Sequence, residues 1–145
     1  MNIVSYGGGT NSTALLVECV KRSIPVELIL FADTGGEKPA TYEYLKMFDK
    51  WLVKHGMPNI TRVQTCDQYG TFITLEQKCL NARQLPAIAY GRKSCSDKHK
   101  IRPQDKFLNN WPRAKLEWEG GRKITKLIGY DADEPQRAKD FEDKK

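Results

Sequence analysis

A chain of 145 residues, 39% hydrophobic and 29% charged, reads as one globular domain (1–145) able to bury a core without disulfide staples. No apolar run approaches the ~20 residues of a membrane span, and the first residues lead straight into a strand, so neither a membrane segment nor a signal peptide is expected. The net charge of +6 favours anionic partners, nucleotides and nucleic acids alike, and Cys19, Cys66, Cys79 and Cys95 form no CxxC or CC pair, which suits a reduced, cytoplasmic chain.

Ile3-Val4 opens a short strand that runs into Gly7-Gly8-Gly9. A helical pattern, Ala14 to Val20, follows. Strand, glycine turn and helix in that order make an anion site: glycine lets the backbone turn sharply, and a helix starting near Ser12 adds free N–H groups and the positive end of its dipole. A P-loop would need lysine where Asn11 stands, and a dinucleotide fingerprint would need a third glycine where Ser12 stands. The plainer alternative is a tight turn capped by Ser12 or Asn11.

Val26 to Ala32 is apolar almost throughout, the pattern of a buried parallel strand. The loop Asp33-Thr34-Gly35-Gly36-Glu37 follows, then a helix opened by Pro39 with Tyr44, Phe48, Trp51, Leu52 and His55 at helical spacing, stopped by Gly56 and Pro58. Ile60–Gln64 is the third strand, so the first half reads β-α-β-α-β with a parallel sheet. Beyond it, Phe72 to Arg83 reads as a helix with Ile73, Leu75, Cys79 and Leu80 toward the core. Leu85 to Tyr90 reads as a short strand or a loop, and Pro103 to Trp111 as a helix. Ile124 to Tyr130 is read as a strand, paired in a hairpin with Glu117–Lys123. The charged tail from about residue 139 is expected to fray.

Three further stretches could carry chemistry, because ligands of open α/β sheets lie outside the carboxyl ends of the strands. Asp33 and Glu37 could contact a nucleotide or a metal, or form a polar turn before a helix. Between Arg92 and Arg102 five Lys/Arg and one His fall within eleven residues, with Cys95 among them; nearby cations favour its thiolate. Gly129 to Ala138 carries Asp131, Asp133, Glu134 and Arg137 just after the last strand.

Taken together these stretches resemble the phosphoadenylyl-sulfate (PAPS) reductase family of the adenine nucleotide α-hydrolase-like (PP-loop) superfamily. Gly8, Gly9 and Ser12 match the SGGxDS loop, with Gly7 and Asn11 in place of its first serine and its aspartate. Asp33 to Tyr42 is similar to the DTGxxxPETY region. Cys95, Lys100 and Pro103 match a C-x-x-x-x-K-x-x-P segment. Gly129, Glu134 and Arg137 match the closing GxRxxES..RA motif approximately, with Asp131 where relatives carry arginine. The resemblance spans residues 5 to 138. It implies a doubly wound, mainly parallel sheet of about five strands with flanking helices. It also implies an adenine nucleotide (ATP or PAPS) held by Ser5, Gly7, Gly8, Gly9, Thr10, Asn11, Ser12, Thr13, Asp33, Thr34, Gly35, Lys100, Arg102, Gly129 and Arg137. Cys95, Asp33 and Glu134 would be the catalytic candidates, and Asp33 and Asp133 could hold Mg²⁺.

The chemistry stays open among sulfonucleotide reduction, with thioredoxin as a partner, ATP cleavage between the α and β phosphates, nucleotide capture without reaction, and a basic subunit docking on nucleic acid. Reductases of the family attack from a C-terminal ECGxH-type cysteine, which has no counterpart after Cys95, and an iron–sulfur cluster is not expected without a CC pair and a later CxxC.

Overall fold

The computed structural model describes residues 1–85 and 97–133. Four strands, β1 Asn2–Tyr6, β2 Leu28–Asp33, β3 Ile60–Gln64 and β4 Thr125–Ile128, form one sheet in the order β3-β2-β1-β4. Every pairing is parallel. Among the described residues five α-helices accompany it: α1 Thr10–Lys21, α2 Pro39–Lys54, α3 Leu75–Ala82, α4 Arg102–Asn110 and α5 Pro112–Glu119. A π-helical turn, Asp97–Ile101, runs directly into α4. The architecture is α/β as expected, with four strands among the described residues rather than about five.

The period-two alternation of each strand divides the core into two layers. Val4, Tyr6, Ile29 and Phe31 face one side, where Leu16 and Cys19 of α1 and Leu45, Phe48 and Leu52 of α2 cover them. Ile3, Leu28, Leu30, Ala32 and Val63 face the other, against Phe107, Leu108 and Trp111 at the end of α4. With helices on both faces, β2 is buried along all six residues, which accounts for its near-continuous apolar sequence. On the α2 side an aromatic file packs ring on ring: Tyr44 and Phe48 stack at 5.7 Å, Phe48 and Trp51 at 5.4 Å. Cys19 packs in this layer, and burial pushes its thiol pKa up.

Two readings of the second half are corrected. Glu117–Lys123 makes no hairpin: Pro112–Glu119 is helical, opened by a proline in its first turn, and β4 joins the sheet beside β1 in parallel. The Gly120-Gly121 pair that suggested a hairpin instead ends α5, where Gly121 takes a positive φ of 70°. The helix expected from Phe72 begins at Leu75, fixed there by a Thr74–Gln77 capping box. It buries none of its residues: Cys79 is half-buried and Leu80 is exposed. Among the described residues no helix is long and apolar enough to cross a membrane.

Candidate functional site

The sheet order sets the place of the site. From β1 the chain builds outward through β2 and β3, then returns to add β4 on the opposite side of β1. The carboxyl ends of β1 and β4 therefore flank the point where strand order reverses, the usual ligand crevice of open parallel sheets. A cavity of about 580 Å³ lies there, lined by the end of β1, the glycine turn, the first turn of α1, Ile128, Gly129 and Asp131 after β4, and Lys100 and Gln104.

The glycine turn is held by its own side chains. Ser12 Oγ accepts a hydrogen bond from the Gly7 N–H at 3.2 Å and donates to the Gly9 carbonyl at 3.1 Å. Gly8 takes a φ of 71°, a left-handed conformation that suits glycine, and a Cβ there would press on Phe31 and Thr41. The N-cap of α1 is Gly9 with no side-chain cap, so Ser12 closes the turn, in part as the plainer alternative has it, without capping the helix. Among the described residues the N–H groups of Thr10, Asn11 and Ser12 have no acceptor, as expected for the first turn of a helix. They and the helix dipole favour an anion at this end.

Each sequence candidate now has a position. Ser5, Gly7, Gly9, Thr10, Asn11, Ser12, Lys100 and Gly129 line the cavity. Ser5 Oγ donates to Gln104 Oε1 at 2.8 Å, which anchors α4 to the end of β1. Thr13 turns toward the core layer, where its Oγ1 meets the Tyr6 hydroxyl at 3.1 Å; burial pushes the Tyr6 pKa up to about 12. Lys100 Nζ lies 3.9 Å from Glu37, so one ion pair steadies the lysine at the cavity. Gly129 is required by contact: a Cβ there would sit 2.6 Å from the Asn11 carbonyl oxygen.

Asp33 belongs to the other face. It shares strand parity with Ile29 and Phe31 and points toward α2, while Ala32 lines the cavity. Its Oδ1 accepts from the Gly35 N–H at 2.8 Å and from the Tyr42 hydroxyl at 2.7 Å. Its Oδ2 accepts from Gln64 Nε2 at 3.3 Å and lies 3.7 Å from Arg62. Thr34 and Gly35 turn toward α3: the Thr34 carbonyl accepts from the Leu75 N–H, and a Cβ on Gly35 would collide with Thr74. Arg102 lines a different cavity, beside β3. Cys95, Glu134 and Arg137 lie outside the described residues, and Asp133 is exposed at their edge. Among the described residues no three His, Cys, Asp or Glu gather as a metal site.

Sequence reasoning missed Gln104 and His99. Gln104 is buried at the cavity, but a glutamine in a short helix gives no pattern to notice. His99 is buried in the π-turn with its Nδ1 unpartnered. Burial, and then the charges of Lys78 and Lys98, lower its pKa and hold it neutral. Comparison with protein-family models, with curated proteins and with solved structures found no match for the chain.

Proposed function

We propose that the chain is an adenine-nucleotide-binding protein resembling PAPS reductases, which seats phosphate or sulfate groups on the glycine turn and Lys100. One observation carries the reading: unsatisfied N–H groups at the start of α1 and a lysine from a distant segment meet in a single cavity at the strand-order reversal. Backbone N–H groups would bind the anion at short range, and Lys100 would add a point charge. Adenine as the base rests on the motif resemblance, as does the reaction, which would be sulfonucleotide reduction or cleavage of ATP between its α and β phosphates. A Mg²⁺ ion, were one recruited, would arrive with the phosphates.

A thermal-shift series with ATP, AMP, APS, PAPS, PAP and adenosine tests the reading, since a ligand of the folded state alone raises Tm. The phosphorylated ligands should raise Tm and adenosine should do so far less. Gly9→Val is the sharpest variant: Gly9 has an ordinary extended backbone and a Cβ there would touch nothing, so the fold tolerates the change while valine bars close approach of phosphate. It should weaken binding at least ~10-fold, about 1.4 kcal/mol. Adenosine matching ATP, or unchanged affinity in folded Gly9→Val, would overturn the reading. Labelled ATP and PAPS, with products separated, then decide between reaction and capture.

A further inference from the structure

A second cavity, of about 720 Å³, lies beside the carboxyl end of β3, on the face of the sheet that α4 covers. Arg62 of β3, Lys78 of α3, Lys98 of the π-turn and Arg102 and Lys106 of α4 line it, and among the described residues no Asp or Glu does. Arg62 is committed elsewhere, to Asp33 and to the face of Tyr42. Lys78, Lys98 and Lys106 have no ion-pair partner among the described residues. The charges of Lys78 and Lys98 both bear on buried His99 as well. Thr65 Oγ1 donates to the Lys98 carbonyl at 3.3 Å and ties the π-turn to the end of β3. The apolar part of the lining includes Phe107 and Trp111, both only half-buried.

We propose that this cavity is a docking site for single-stranded nucleic acid, with a base stacked on Trp111 or Phe107 and flanking phosphates on Lys78, Lys98 and Lys106. Cations without acids match a phosphodiester backbone, and an aromatic surface accepts any base by its π-face. The cations come from three elements, α3, the π-turn and α4, that meet at one cavity. The volume falls within the ~300–1,000 Å³ of small-ligand sites and admits about two nucleotides. The site is distinct from the glycine-turn cavity and does not depend on the nucleotide reading.

Fluorescence anisotropy with a labelled, mixed-sequence oligonucleotide of about 12 nucleotides tests the proposal. Affinity should fall steeply from about 50 to about 200 mM salt. Lys78→Ala with Lys106→Ala should weaken binding at least ~10-fold and flatten the log–log salt slope by about 1.4, at about 0.7 per lost phosphate contact on a single strand. Lys50→Ala with Lys54→Ala on α2 removes the same charge from exposed positions on the other face and should change affinity less than ~3-fold. Gly9→Val should bind the oligonucleotide as wild type does, and the lysine pair variant should keep any Tm gain with ATP, so failure of either site is seen separately. No binding at low salt, an equal loss in the α2 control, or a duplex of the same length binding as tightly would each overturn the proposal.

Discussion

Asp33 illustrates how a carboxylate at a strand end is held by hydrogen bonds from within the fold. Its two oxygens take hydrogen bonds from a backbone N–H, a tyrosine hydroxyl and a glutamine amide, drawn from the following loop, α2 and β3. Bonds to an ionised acceptor are worth roughly 1.5–3 kcal/mol each before the lost contacts are re-made by water. Asp33→Ala should therefore cost about 2–3 kcal/mol, or some 5–10 °C in Tm for a chain of this size. The nucleotide affinity of the folded fraction should stay within about twofold. Thermal unfolding and titration of the same variant check both halves. A variant that melts like wild type but binds ~10-fold more weakly would return Asp33 to the nucleotide site. The sequence places Asp33 at a strand end correctly; the side of the sheet follows from counting parity from Phe31, which faces the α2 layer.

The element that sets the cavity's width is the junction between β4 and α1. β4 pairs with β1 from Asn2↔Thr125 to Ser5↔Ile128, and the chain then crosses directly over the first turn of α1. Gly129 permits that crossing, since any side chain would meet the Asn11 carbonyl and the Ser12 Cα within 3 Å. Gly129→Ala should thus cost about 1–3 kcal/mol, as overpacking does, and weaken nucleotide binding by displacing the helix start from β4. Chemical denaturation with the linear slope unchanged, beside a nucleotide titration, is the measurement; full stability with full affinity would show that the junction yields freely. The sequence marks Gly129 only by its resemblance to a motif glycine, and its steric role needs the β1–β4 pairing, which joins residues more than a hundred positions apart. The same distance hid the parallel addition of β4. Lys126 and Leu127 alternate like any strand, and the nearby Gly120-Gly121 made a local hairpin the simpler reading.

At the scale of the whole molecule, the first 64 residues are legible because each element repeats one strong period between clear stops. β3 has the bounds read from the sequence, and β2 shifts by two residues at its start and one at its end. After Gln64 the described elements are shorter and more polar, and contacts with the distant sheet decide their course. The π-turn is the sharpest case, because it buries a histidine inside the most basic stretch of the chain. That arrangement predicts how the fold responds to acid. His99 has its pKa lowered in the folded state, by burial first and by Lys78 and Lys98 after it, so the unfolded chain binds its proton more readily. Unfolding then takes up protons below the ordinary histidine value, near 6.5. The stability linked to His99 is complete above that value and is lost as pH falls below it toward the depressed folded pKa. Tm measured from about pH 7.5 to about pH 5.5 should decline, and His99→Gln, which carries no titrating charge, should flatten the decline in that window. Should His99→Gln fall with pH as steeply as wild type, the acid response belongs to the carboxylates and not to the buried turn.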